Sequence, residues 1–213
     1  MQEFSKAMTQ NLLKYLGVFI PVISIIIFLY HYKNPLLALV IYQLGMIMEL
    51  ILFRRQLRYK VKDGWDLFFG LASTVLTLVS FMIVFLLWDT IFIDMKLNEK
   101  MIIYNLNKPM IFLLFSTILI LINPVIEELF WRDLLNIERF IALEDFGFAF
   151  YHGFVLILFF PWYLTLSIVG CLLIVSVGWK LITNKFKGLA IPVLMHILAD
   201  CCIIGITYLK ILK

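Results

Sequence analysis

The run MIFLLFSTILILINPVIEELFWR, Met110 to Arg132, is predominantly apolar as far as Ile126. It then places two adjacent carboxylates, Glu127 and Glu128, and an arginine, Arg132, at its end. About 20 such residues cross a bilayer as one helix, so the run reads as a membrane span. Hydrocarbon is a costly place for acid side chains. Two of them kept at the edge of a span mark a functional site by default.

Working outward, comparable runs recur along all 213 residues. Hydrophobic residues make up 63% of the chain and the mean hydropathy is +1.02, more apolar surface than a soluble domain of this length needs. Seven spans are expected: Leu12–Tyr32, Leu36–Phe53, Leu67–Trp88, Met110–Phe130, Phe146–Phe160, Trp162–Leu181 and Leu189–Leu209. The expected fold class is therefore all-α, a polytopic transmembrane helix bundle forming a single domain over residues 1–213. Pro161 suits a tight turn between the short fifth span and the sixth. The first run is long for a signal-peptide core and no A-x-A site follows it, so it reads as a retained span.

Lysine and arginine orient the bundle. The loop after the second span holds Arg54, Arg55, Arg58, Lys60 and Lys62. With that loop in the cytoplasm, alternation puts 12 basic residues inside, Lys6, Lys14, Arg132 and Lys180 among them, and 6 outside. The N-terminus is then cytoplasmic and the expected location is the cell membrane, with the lipid bilayer as one partner. No basic cluster is interleaved with exposed aromatics, so no nucleic-acid partner is expected. Cys171, Cys201 and Cys202 lie within apolar runs and read as buried free thiols. Between Arg132 and Asp145 the apolar positions Leu134, Leu135, Ile137, Phe140, Ile141 and Leu143 alternate with charges. This segment reads either as an amphipathic helix on the cytoplasmic surface or as an ordinary connecting helix.

The polar residues inside the spans carry the chemistry. Arg132 is four residues beyond Glu128 and shares its helix face, which leaves Glu127 aimed elsewhere. Pro124 loosens the helix just before the acids. His152 enters with the fifth span, one turn after Phe148. His196 and Asp200 share a face of the seventh. At 1.5 Å per residue, Glu127, His152 and His196 each lie roughly 8–12 Å below one membrane face. Gly70, Ser73, Thr77 and Ser80 form a stripe of small residues on the third span, read as helix packing.

Three motifs thus stand in order: Glu127-Glu128-x-x-x-Arg132, Phe148-x-x-x-His152 and His196-x-x-x-Asp200. They resemble those of the CPBP family (CAAX proteases and bacteriocin-processing enzymes, or Abi family), which includes type II CAAX prenyl endopeptidases. The resemblance covers Met110 to Leu209, and the first three spans carry no motif. It implies an intramembrane glutamate-dependent endopeptidase without a cofactor. Glu127 and His152 would activate a water, Glu128 and Arg132 would hold the site in shape, and His196 and Asp200 would stand where the oxyanion is stabilised. A carboxyl screened from bulk water suits general-base work. Two departures matter: Asp133 follows the arginine where the family often has Gly, and Asp200 stands where many members have Asn. Asp200 must then be protonated, or serve to orient His196.

The implied substrate is a short peptide or the tail of a membrane protein. High Ile, Phe, Leu and Lys with few Gly points to a bacterial genome, where peptide maturation or bacteriocin self-immunity replaces CAAX trimming. An alternative is a non-catalytic scaffold that binds and regulates a partner membrane protein. A zinc hydrolase is a third reading, but the chain has no H-E-x-x-H motif and its ligands would come from three spans; no metal is expected.

Overall fold

The computed structural model describes residues 14–92, 95–136 and 139–213. Every element in it is helical, and there is no strand among the described residues. Six helices are long and apolar enough to cross a membrane: α1 Lys14–His31, α2 Pro35–Leu52, α3 Leu67–Leu86, α5 Pro109–Leu134, α7 Trp162–Phe186 and α8 Ala190–Leu212. A short α4, Leu97–Ile103, precedes α5. The expected fifth span is α6, Leu143–Phe159, a helix of 17 residues. It is shorter than the other six and opens on Glu144 and Asp145, so six rather than seven helices qualify as spans by length. The start of the expected first span, Leu12, and the basic residue Lys6 lie outside the described residues.

Local chemistry sets the boundaries. The side chain of Asn34 accepts from the Leu37 N–H at 2.9 Å, and Pro35 opens α2 where its missing N–H costs nothing. Asp66 caps α3 in the same way through the Phe69 N–H at 2.9 Å. The Asp145 carboxylate turns back onto the Ala142 N–H at 2.9 Å and starts α6. Pro161, in an extended conformation, divides α6 from α7 as expected, and these two helices form the most extensive pairing in the bundle.

α5 is interrupted. Regular helix stops at Leu121 and restarts at Asn123, because Pro124 has no N–H to give to the preceding turn. Beyond Glu128 the helix widens to π geometry over Leu129–Leu134, closed by the Leu135 N–H on the Phe130 carbonyl at 3.0 Å. π turns of this kind gather at functional sites. The widened turn buries Arg132, Asp133, Leu134 and Leu135. Among the described residues Arg132–Leu134 ends α5, Leu143–Asp145 begins α6, and neither a surface helix nor a connecting helix lies between them, which corrects both readings of this segment; Ile137 lies outside the described residues.

Met46, Phe130, Trp131, Leu135 and Phe148, among the best-buried side chains, surround the end of α5, and Lys180 of α7 and Ile191 of α8 are as deeply buried. On α3 the apolar residues face outward and Gly70 alone is buried. Lipid satisfies such faces, so the bundle is held by close packing and internal polar contacts. α3 packs chiefly on α8. Ser73 and Thr77 of the small-residue stripe are part-covered, whereas Ser80 is exposed and bonds its own helix at the Leu76 carbonyl.

Asp133 has a structural task. Its carboxylate accepts from the Arg58 N–H at 2.9 and 3.1 Å and from the Tyr59 N–H at 3.1 Å, pinning the α2–α3 loop to the end of α5. The same loop docks on the α7–α8 turn. A Cβ on Gly188 would lie 2.1 Å from the Asp63 backbone, and Gly64 there has φ +79°, so both positions need glycine. Arg132 and Lys180, which the charge count treated as loop residues, are fully buried in ion pairs.

Candidate active site

The two acids of α5 point to different neighbours, as adjacent helical residues must. Glu127 is 1% exposed. Its Oε1 accepts from the Tyr42 hydroxyl of α2 at 2.6 Å and from the Tyr151 hydroxyl of α6 in a short hydrogen bond. Among the described residues its Oε2 has no hydrogen-bond partner, and it lies 4.0 Å from His196 Nε2. Glu128, fully buried, takes His196 Nδ1 on Oε1 at 2.9 Å. Its Oε2 is 3.5 Å from Arg132 Nε, at the expected i,i+4 spacing. The Arg132 guanidinium in turn lies over the Phe148 ring, 4.5 Å from its centroid. An arginine over an aromatic face keeps its charge at low cost inside a bundle.

His196 is thus the hub. One nitrogen is fixed by Glu128, and the other faces Glu127 Oε2 and, at 3.7 Å, Asp200 Oδ2. Because Nδ1 is bonded to a carboxylate, the ring is held with Nε2 directed at that gap. Phe148 and Trp179 pack around it, with ring centroids 6.3 and 5.2 Å from that of His196. The structure therefore brings Glu127, Glu128, Arg132, Phe148, His196 and Asp200 into one cluster from α5, α6 and α8.

His152 stands one step away. Its Nδ1 is 2.7 Å from the Phe148 carbonyl of its own helix, and its Nε2 is 3.1 Å from the Tyr151 hydroxyl. Tyr151 stands between His152 and Glu127. Sequence reasoning missed Tyr42 and Tyr151, and also Gln43 and Asn123, whose buried side chains hydrogen-bond each other beside the site. The available signal was weak: a Tyr-Gln pair in the middle of the second apolar span, and a tyrosine next to the histidine. The second span, read as free of motifs, supplies Tyr42 and Gln43.

A separate buried cluster lies at the start of α6. Lys180 of α7 forms a short ion pair with Asp145 and lies 3.6 Å from Glu144, and Ser176 donates to Asp145 at 2.9 Å. Lys180 sets one positive charge between two carboxylates, and the cluster ties α6 to α7.

Chemically, the main cluster offers an acceptor, Glu127 Oε2, and a nitrogen, His196 Nε2, spaced so that one water at about 2.8 Å from each would meet both. Among the described residues no group of three or more His, Cys, Asp and Glu side chains is arranged to hold a metal ion. No family model, curated protein or solved structure matches this chain.

Proposed function

We propose that this chain is a multi-pass membrane protein that hydrolyses peptide bonds with Glu127 as general base, in the manner of the CPBP family that its motifs resemble. The observation that carries the reading is Glu127 itself. It is a buried carboxylate with one oxygen fixed by two tyrosine hydroxyls and the other left open toward His196 Nε2. In this scheme Glu127 Oε2 takes a proton from a water as the water oxygen attacks the peptide carbonyl carbon. His196 Nε2 donates to the oxyanion that forms. The proton passes to the leaving amine nitrogen, and a carboxylate and an amine depart. Tyr42 and Tyr151 hold the carboxylate plane, so little reorganisation is needed at the moment of reaction. The substrate is a short peptide or a membrane-protein tail entering from the end of the bundle that carries Arg54 to Lys62, which we place in the cytoplasm of a bacterial cell. Peptide maturation or bacteriocin self-immunity fits such a substrate.

The test is a comparison of peptides released in membranes containing the wild-type chain or Glu127→Gln, read by mass spectrometry. Fragments present with the wild type and missing with the variant support the proposal; identical fragment sets with both sink it.

A second reading, a non-catalytic scaffold that regulates a partner membrane protein, draws on the same residue. Glu127 is 1% exposed, so a substrate must part helices to reach it. A cellular phenotype that survives Glu127→Gln unchanged selects the scaffold.

A further inference from the structure

Two loops far apart in sequence meet at one end of the bundle. The α2–α3 loop lies on the α7–α8 turn through Gly64 and Gly188, with the Ala190 N–H on the Asp63 carbonyl at 3.0 Å. The contact brings Lys60 and Lys62 beside the turn that carries Lys187, with Arg54, Arg55 and Lys185 on the same two loops' flanks, and all six are exposed, a basic plate at this end of the bundle. The acids within these loops are Asp63 and Asp66, and Asp66 is committed to capping α3. Among the described residues none of the six cations is in an ion pair, whereas at the opposite end Lys96 pairs with Glu99 at 3.1 Å and Lys210 with Asp89 at 2.8 Å. Orientation by positive charge needs only the first loop. It does not require a second loop to be locked onto it, nor the cations to stand outside ion pairs.

Beside the plate, at the entry to α3, Trp65, Leu67 and Phe68 are 53%, 65% and 74% exposed. Exposed tryptophan at a span terminus sits at headgroup level, and apolar Leu67 and Phe68 beside it suit the acyl chains. Lys185 Nζ lies 4.1 Å from the Phe69 ring centroid, so the cationic and aromatic parts are one surface. We propose that this plate binds anionic phospholipid headgroups, the phosphates on the basic side chains and the acyl chains along the exposed face of α3. The lipid is favoured over an acidic peptide because the plate is continuous with a membrane-facing apolar helix, which a soluble peptide would leave uncovered. This inference is independent of the peptidase proposal.

The test is lipid retention by the purified full chain offered equal phosphatidylglycerol and phosphatidylcholine in mixed micelles, counted by native mass spectrometry. The wild type should retain phosphatidylglycerol preferentially, and the preference should fall as salt rises from about 0.05 M to about 0.5 M. The exposed-residue variant R54Q/R55Q/K185Q/K187Q should reduce the preference by about fivefold or more, from roughly 1 kcal/mol per cation near an anionic surface. K96Q/K100Q/K108Q, at the opposite end, should leave it unchanged. Equal retention of the two lipids by the wild type, or an unchanged preference in the first variant, overturns the proposal. So does tighter binding of an octaglutamate peptide with no lipid preference. The salt series on the wild type reads the charge dependence without relying on the fold of any variant.

Discussion

Tyr151 donates its hydroxyl to Glu127 Oε1 and meets His152 Nε2 at 3.1 Å. The protons on this chain are constrained. The Phe148 carbonyl can only accept, so the Nδ1 of His152, 2.7 Å away, carries a proton. A neutral His152 therefore presents a bare Nε2 to the tyrosine. The single Tyr151 proton then serves either Glu127 or His152. The short contact to Glu127 Oε1 takes it.

Removing that hydroxyl should uncouple the histidine. Tyr151→Phe keeps the ring stacked on Trp131, whose plane lies 5° from its own. Peptide release should fall by about 10²-fold, the lower end of what a positioned proton-transfer group contributes. The distinguishing measurement is the pH profile of kcat. A relay role predicts loss of the ionisation supplied by His152, and a packing role predicts the same profile scaled down.

The Glu128–Arg132 pair should behave as framework. Both are fully buried, with Glu128 Oε2 3.5 Å from Arg132 Nε. Arg132→Met leaves a carboxylate without its cation and should cost about 3–5 kcal/mol. Arg132→Met with Glu128→Gln removes both charges and should recover a large part of that loss. Denaturant titrations in detergent check the pair; equal losses in the single and double variants would assign the cost to arginine packing on Phe148.

Asp133→Ala should free the α2–α3 loop without touching the cluster. The carboxylate holds the Arg58 and Tyr59 N–H groups at 2.9–3.1 Å, and hydrogen bonds to a charged group are worth about 1.5–3 kcal/mol each. Trypsin should then cut after Arg58 at least tenfold faster while peptide release stays within about threefold of wild type, since the population of a locally open loop rises exponentially with the lost free energy. Unchanged cleavage would mean that the Gly64–Gly188 contact alone holds the loop.

Much of this architecture is legible in one dimension because its causes are local. Apolar runs set the spans, Pro124 and Pro161 mark a helix break and a turn, and i,i+4 spacing pairs Glu128 with Arg132 and His196 with Asp200. The rest depends on distant partners. Asp133 and Lys180 look like surface charges in sequence. They are buried because the Arg58 and Tyr59 N–H groups and Asp145 wait for them. Tyr42 meets Glu127 across 85 residues, and a tyrosine in an apolar span carries no local sign that its hydroxyl faces a carboxylate. The π turn at Leu129–Leu134 is equally silent, being a response to packing against α2, α6 and α7.

Asp200 is the position where charge and shape make opposite demands. Its Oδ2 lies 3.7 Å from His196 Nε2, the nitrogen that faces Glu127. A carboxylate there holds a proton on Nε2 by attraction but repels an oxyanion; an amide of the same shape offers an N–H donor and no charge. Asp200→Asn should therefore keep peptide release within about tenfold of wild type, or raise it, because an added donor aimed at developing charge is worth up to about 10²-fold. Asp200→Leu removes both functions and should abolish release. If Asp200→Asn is as inactive as Asp200→Leu, the carboxylate is required to hold His196 by charge, and the oxyanion must be met by His196 alone.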